Sequence, residues 1–277
     1  MSAIPRPLLV GIVNITEDSF SDGGRYLDPA AAIAQARRLV ADGADVIELG
    51  AAASNTAAKP ISPEEEIRRL DPVIGALEAE GVSVSIDTFQ IGTQRFALRR
   101  GVAYLNDIQG FPDPAIYPEL AAASCRLTVM HAVQGRGRAQ SVDIGPDEVW
   151  RRIHDFFAER IPRLAQAGIA RERLILDPGM GLFLSNRAEA SLRVLRGLSE
   201  LKQAFGLPVL VSVSRKSFLS RLTGHDNPAQ LGAATLAAEL YAARHGADFI
   251  RTHDPAALRD ALTVSGALEG PADPTSD

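Results

Sequence analysis

Leu207-Pro208-Val209-Leu210-Val211-Ser212-Val213-Ser214-Arg215-Lys216-Ser217-Phe218 opens as a valine- and leucine-rich run and stops abruptly in two hydroxyls and two cations. A short apolar run without alternation fits a strand buried on both faces, as in a parallel sheet. Its polar end then lies where the strand leaves the core. Taken alone, the window fits a solvated basic loop equally well. Recurrence decides the matter. Leu8–Asn14, Asp45–Gly50, Val82–Thr88, Tyr104–Ile108, Arg126–His131, Leu174–Gly179 and Asp248–His253 repeat the pattern of an apolar run with a polar C-terminal end.

Helical patterns fill the intervals. Asp28-Pro29 supplies an N-cap and a first-position proline, followed by Ile33, Ala36, Leu39 and Val40 at helical spacing. Ser62-Pro63-Glu64-Glu65 starts another helix, with acids in the turn that favours them. Further helices are expected near 146–167, as one piece over 189–205, over 228–245 and over 255–268. Strands alternating with helices predict parallel strands joined by crossovers. Eight such units in roughly 260 residues predict a closed TIM-type (β/α)8 barrel of the α/β class. One domain is expected over 1–269, with 270–277 as a flexible tail.

Composition narrows the function. The 277 residues carry a net charge of −5, with 46% hydrophobic and 23% charged residues. An acidic balance argues against nucleic acid or an anionic membrane as partner, and leaves room for a local cationic pocket. No secretory or membrane-spanning run is seen, so a cytoplasmic setting is expected. The one cysteine, Cys125, reads as a buried structural thiol. The apolar, alanine-rich helices near the C-terminus offer a face for a homodimer.

In a barrel the C-terminal strand ends share one rim, where active sites are built. That rim collects Asn14, Asp87, Asn106, Asp107, His131, Asp177, Ser214, Arg215, Lys216, Arg251 and His253. Each has an ordinary structural reading as a cap, ion pair or near-core histidine. Gathered on one rim, they read as a site. Arg251, His253 and Lys216 suit a phosphate or pyrophosphate. Asn14 offers a neutral oxygen to a hard cation such as Mg²⁺. Asp87, Asn106 and Asp177 suit a flat heterocycle bearing donors and acceptors, since a carboxylate accepts two coplanar bonds from an amino-pyrimidine edge. No zinc spacing, nucleophile elbow or Gly-x-Gly-x-x-Gly after the first strand is present.

With those residues in view, the chain resembles the dihydropteroate synthases. The matching segments are Gly11–Tyr26, Ser85–Thr88, Leu105–Ile108, Val129–His131, Leu176–Gly181, Val213–Phe218 and Arg251–His253, in the family's order. The resemblance implies the barrel fold and a Mg²⁺-assisted transferase reaction. That reaction joins 6-hydroxymethyl-7,8-dihydropterin diphosphate to 4-aminobenzoate and releases pyrophosphate. It implies that Asp87, Asn106, Asp177 and Lys216 hold the pterin, with Ser54 in the place of a pterin-binding threonine. Lys216, Asp87 and Asp177 would carry the catalysis. Arg251, His253 and Asn14 would hold the diphosphate, and Asn14 the metal. Ser217, Leu182, Phe111 and Phe20 would line the 4-aminobenzoate site.

Three segments depart from the family pattern. Ala53-Ser54-Asn55-Thr56 has an asparagine where Ser-Thr-Arg-Pro has arginine. Gly181-Leu182-Phe183-Leu184 stands for Gly-Phe-Gly-Lys. Ile108-Gln109-Gly110-Phe111-Pro112 puts a bulky ring in a loop near the second-substrate site, where it is expected to narrow the exit that sulfonamides need. Together the changes resemble the sulfonamide-insensitive, drug-resistance branch of the family. Two other readings stay open at this point. One is a pterin-binding protein without activity. The other is a methyltransferase-type pterin barrel, against which Arg251-Thr252-His253 speaks.

Overall fold

The computed structural model describes residues 6–16, 28–52, 60–134 and 142–269. Eight strands form one all-parallel sheet: β1 (Leu8–Asn14), β2 (Val46–Gly50), β3 (Val84–Asp87), β4 (Tyr104–Asp107), β5 (Arg126–Met130), β6 (Leu174–Asp177), β7 (Leu210–Val211) and β8 (Phe249–Thr252). Their order is β6-β5-β4-β3-β2-β1-β8-β7. The ring closes between the two ends through the single bridge Leu176↔Val209, where Leu176 N–H donates to Pro208 O at 2.9 Å. The expected single-domain barrel is what forms.

Helices pack outside the ring: α1 (Pro29–Ala41), α2 (Pro63–Ala79), α3 (Ile91–Arg100), α4 (Tyr117–Ala122), α5 (Pro146–Gln166), α6 (Ala188–Arg196), α7 (Leu198–Phe205), α8 (Ser217–Thr223), α9 (Gly232–Arg244) and α10 (Pro255–Glu269). Two starts follow the sequence reading closely. Asp28 accepts from Ala30 N–H, and Ser62 from Glu65 N–H.

Elsewhere the chain departs from expectation for identifiable reasons. The seventh strand is two residues long, because Pro208 has no N–H and the Val209 N–H goes to the Asp248 carboxylate at 2.9 Å. The helix expected over 189–205 breaks at Gly197. A Cβ there would lie 2.3 Å from the Trp150 ring, so the indole takes the space a side chain would need. In α1 it is Ala32, Ala36 and Leu39 that are buried, while Val40 is 37% exposed. The seven-residue α8 was not foreseen; it is too short for periodicity to declare it.

The barrel interior is layered. Side chains alternate along a strand, so every second residue points inward. Val10, Val46, Ile175, Leu210 and Phe249 form an apolar plug at the N-terminal end, with Leu8 and Tyr104 against it. Two residues further along the same strands come Glu48, Asp177 and Arg251, with Asn106 following Tyr104. The plug keeps water from the lower side, so the polar layer above it is desolvated.

Candidate active site

Arg251 organises the lumen. Its Nε lies 2.6 Å from Glu48 Oε1, Nη2 donates to Glu48 Oε2 at 3.2 Å, and Nη1 donates to Asp177 Oδ2 at 3.4 Å. Strands β2 and β6 stand opposite one another in the ring, and β8 lies two strands from each. The guanidinium therefore bridges the lumen. Ser85 donates to Glu48 at 3.1 Å, which completes a buried cluster. Glu48 is the functional residue that sequence reasoning missed. Its signal was present: one carboxylate inside Val46-Ile47-Glu48-Leu49, in phase with the inward-facing positions.

Asp177 is buried at the end of β6. Its Oδ1 accepts from Gly179 N–H at 2.8 Å. Gly179 has φ +76°, and a Cβ there would fall 2.4 Å from His131 O, so the turn below the carboxylate admits only glycine. Burial pushes the Asp177 carboxyl up, against the pull of Arg251 and the Gly179 N–H. Asp87, half-buried at the end of β3, is pushed up to about 8 by burial and the Glu48 charge, with Arg251 opposing. Lys216 is driven down by burial and the Arg251 charge, and its Nζ lies 5.3 Å from the Phe183 ring centroid.

Asn106 pairs in register with Asp87 on the neighbouring strand. It is fully buried, and neither atom of its carboxamide has a hydrogen-bond partner. A buried amide with an idle donor and an idle acceptor is costly unless something arrives to use it. Asp107, next along the chain, is engaged structurally. It accepts from Gln94 Nε2 at 2.9 Å and from the N–H groups of Gln109 and Phe111, and burial raises it to about 6.

His253 reaches the same rim, but not as a cation. Burial, then the charges of Arg215 and Lys216, lowers it to about 3, so at neutral pH it offers an uncharged imidazole. Its Nδ1 lies 2.8 Å from Ser214 Oγ. His131 takes its structural reading. It is buried, lowered to about 4 mainly by burial, with Nδ1 3.2 Å from Pro178 O. Cys125 is buried and free, as expected.

Asn14 ends β1 opposite Gly50, and a Cβ on Gly50 would sit 3.7 Å from its Oδ1. Ser217 and Lys216 lie close to the turn after β6: a Cβ on Gly181 would be 3.4 Å from Ser217 Oγ and 3.5 Å from Lys216 Cβ. Leu182 on that turn is 37% exposed. Phe111 is a correction. Its ring is fully buried in the main core, not on a pocket rim. The reason is local. The residue sits at φ +57°, tied by its N–H to Asp107 and by its carbonyl to Tyr117 Oη at 2.9 Å, and these ties turn the side chain inward. Ser54, Asn55 and Phe20 lie outside the described residues.

The rim thus gathers carboxylates, a carboxamide, two cations and a neutral imidazole over an apolar plug. Residues 10–253 match the family described as pterin binding enzyme. A dihydropteroate synthase type-2 from Escherichia coli is 59% identical over 95% of this chain and 96% of its own. The chain belongs to the dihydropteroate synthase family. A type-3 synthase of that family, also from Escherichia coli, is 53% identical over 94% of this chain and 98% of its own. The Xanthomonas albilineans dihydropteroate synthase, solved in complex with 7,8-dihydropteroate, superposes with a TM-score of 0.81 at 34% identity, covering 98% of this chain and 95% of that one. As a member, the chain is a transferase that forms a C–N bond by moving a pterinylmethyl group.

Proposed function

We propose that the chain condenses 6-hydroxymethyl-7,8-dihydropterin diphosphate with 4-aminobenzoate, giving 7,8-dihydropteroate and pyrophosphate in folate biosynthesis. The observation that carries this reading is the Asn106 carboxamide, buried with both polar atoms idle beside Asp87. A pterin edge presents donors and acceptors in one plane and would use both atoms at once. Asp177 and the ionised form of Asp87 accept from the amino-pyrimidine edge and stabilise positive charge as the bond to the leaving group breaks. Lys216 and Arg251 counter the charge on the departing diphosphate, and the His253 ring donates a neutral hydrogen bond to it. Ser217, Leu182 and the turn after β6 border the 4-aminobenzoate side. Holding the amine in line with the methylene carbon supplies much of the remaining acceleration.

Mg²⁺ fits as an ion held jointly by protein and substrate. Asn14 presents a neutral hard oxygen toward the space that Gly50 leaves open. Bound there, the ion would add positive charge against the leaving diphosphate. The protein's own share would be the Asn14 carboxamide, with the diphosphate and water as the other ligands.

Reduced sulfonamide sensitivity belongs to the same reading. Asn55 and Leu182 stand where the family pattern has other residues, and the type-2 and type-3 synthases are 59% and 53% identical to this chain. The test measures pyrophosphate release with Mg²⁺, with and without 4-aminobenzoate, and again with a sulfonamide present. Release that needs 4-aminobenzoate and persists with the drug is expected. Release blocked by the drug overturns the insensitivity. No release despite pterin binding favours an inactive binding protein.

The expected homodimer has a candidate face. An apolar groove of about 350 Å³ runs between α6, α8 and α9, lined by Leu192, Leu195, Phe218, Leu222 and Tyr241 among others. Leu222 is 53% exposed and Tyr241 37%. Sedimentation is expected to give a two-chain mass, and Leu222→Asp a one-chain mass; a wild-type monomer would refute the dimer. Among the described residues no helix is long and apolar enough to cross a membrane. A cytoplasmic setting, where both small-molecule substrates are dissolved, is part of this proposed reading.

A further inference from the structure

Helix α9 is mostly alanine and leucine, yet two of its four buried residues are polar: Thr235 and Glu239, one helical turn apart. Residues four apart share a face, and this face meets the strand ends that carry the cationic side of the rim. Thr235 Oγ1 accepts from Arg215 N–H at 3.1 Å. The Glu239 carboxyl lies against Thr252, whose hydroxyl opposes the upward push that burial gives it, while its Oε1 is buried without a partner and the residue is only 2% exposed.

Both contacts sit one residue away from a group of the site. Arg215 precedes Lys216 and is held at φ +57°, a left-handed conformation that a side chain resists without support. Lys216 N–H closes the turn on Val213 O at 3.1 Å, so the Arg215 backbone sets where Lys216 begins. Thr252 lies between Arg251 and His253, and its Oγ1 also accepts from Asp254 N–H at 3.1 Å. The two segments meet at Ser214 Oγ, which lies 2.8 Å from His253 Nδ1 and accepts from His253 N–H at 3.3 Å.

We infer that Thr235 and Glu239 are positioning residues, which clamp the Ser214–Lys216 turn and the Arg251–His253 strand end in the mutual arrangement that the diphosphate requires. A merely space-filling role needs no polar atoms here. Valine or leucine would fill the same volume on an apolar helix face without burying a carboxyl. Neither residue is a group of the rim itself, so each acts through the backbone or side chain it lies against.

The inference rests on the synthase reading for its substrate but not for its test. Thr235→Val and Thr235→Ser, with Glu239→Leu and Glu239→Gln, are compared with wild type by steady-state kinetics and by calorimetric binding of inorganic pyrophosphate. Loss of the polar contact at each position is expected to raise the pyrophosphate Kd and the KM for pterin diphosphate about tenfold in the valine and leucine variants. The serine and glutamine variants, which keep the acceptor, are expected to stay within about twofold, and the KM for 4-aminobenzoate to stay unchanged. Valine and serine variants with equal affinity overturn the clamp. So does a crystal structure of Thr235→Val in which Arg215 and Lys216 keep their places. Wild type that binds pyrophosphate but never releases it from pterin diphosphate overturns the synthase reading instead, and the pyrophosphate comparison still judges the clamp.

Discussion

Asp177→Asn is expected to lower kcat/KM for the pterin diphosphate by roughly 10²–10³-fold while the protein stays folded. The carboxylate has two obligations, visible in its two oxygens. Oδ1 accepts the Gly179 N–H at 2.8 Å, and Oδ2 faces the Arg251 guanidinium at 3.4 Å. Asparagine keeps the volume and can keep the first bond. It cannot neutralise Arg251 or support a developing cation on the ring. Alanine is the harsher variant, since it also leaves a buried guanidinium partly unpaired, at a cost of about 3–5 kcal/mol. Lys216→Ala is the complementary experiment. The side chain is half-buried, so its removal is expected to spare stability and to weaken turnover through the lost cation. Full turnover in either folded variant would remove these residues from the mechanism.

Asp87→Asn is expected to do the opposite to stability and activity. The Asp87 carboxyl is raised to about 8 from an ordinary 3.8, through burial and the Glu48 charge. A carboxyl that binds its proton more tightly in the fold than in the unfolded chain carries no penalty below pH 3.8. The penalty grows as the pH rises and is complete above about 8. The amide has no such term. The variant should therefore melt with the wild type near pH 4 and above it at neutral pH, by roughly 3 °C or more, with the gap levelling off beyond pH 8. Its turnover should collapse, because the amide cannot accept two coplanar bonds from the amino-pyrimidine edge. Stability stored against function in this way is common at active sites. A melting difference that does not change with pH would show that Asp87 is not held near neutrality.

Glu48 and Phe111 show where reading along the chain reaches its limit. Every strand that carries a rim residue is visible as an apolar run, because burial on both faces demands such a run whatever its neighbours are. The phase of each run is equally visible, and it places Asp177, Arg251 and Asn106 on the inner face. Which inner residues then touch is a matter of the ring. Arg251 finds Glu48 across 203 residues of sequence, and no local pattern announces that partner. Phe111 fails the other way. Its bulk beside Asn106 and Asp107 suggests a gate, but the left-handed turn fastened by Asp107 and Tyr117 points the ring into the core.

The barrel, the eight strand ends and the chemical types gathered on the rim follow from the sequence by itself, because hydrophobic periodicity and turn chemistry are local properties of the chain. The break at Gly197, the two-residue seventh strand, the charge state of His253 and the helix α9 contacts behind the rim were decided only by the tertiary structure. Each depends on what lies opposite: an indole, an aspartate, two cations and a threonine that burial brings together from distant segments.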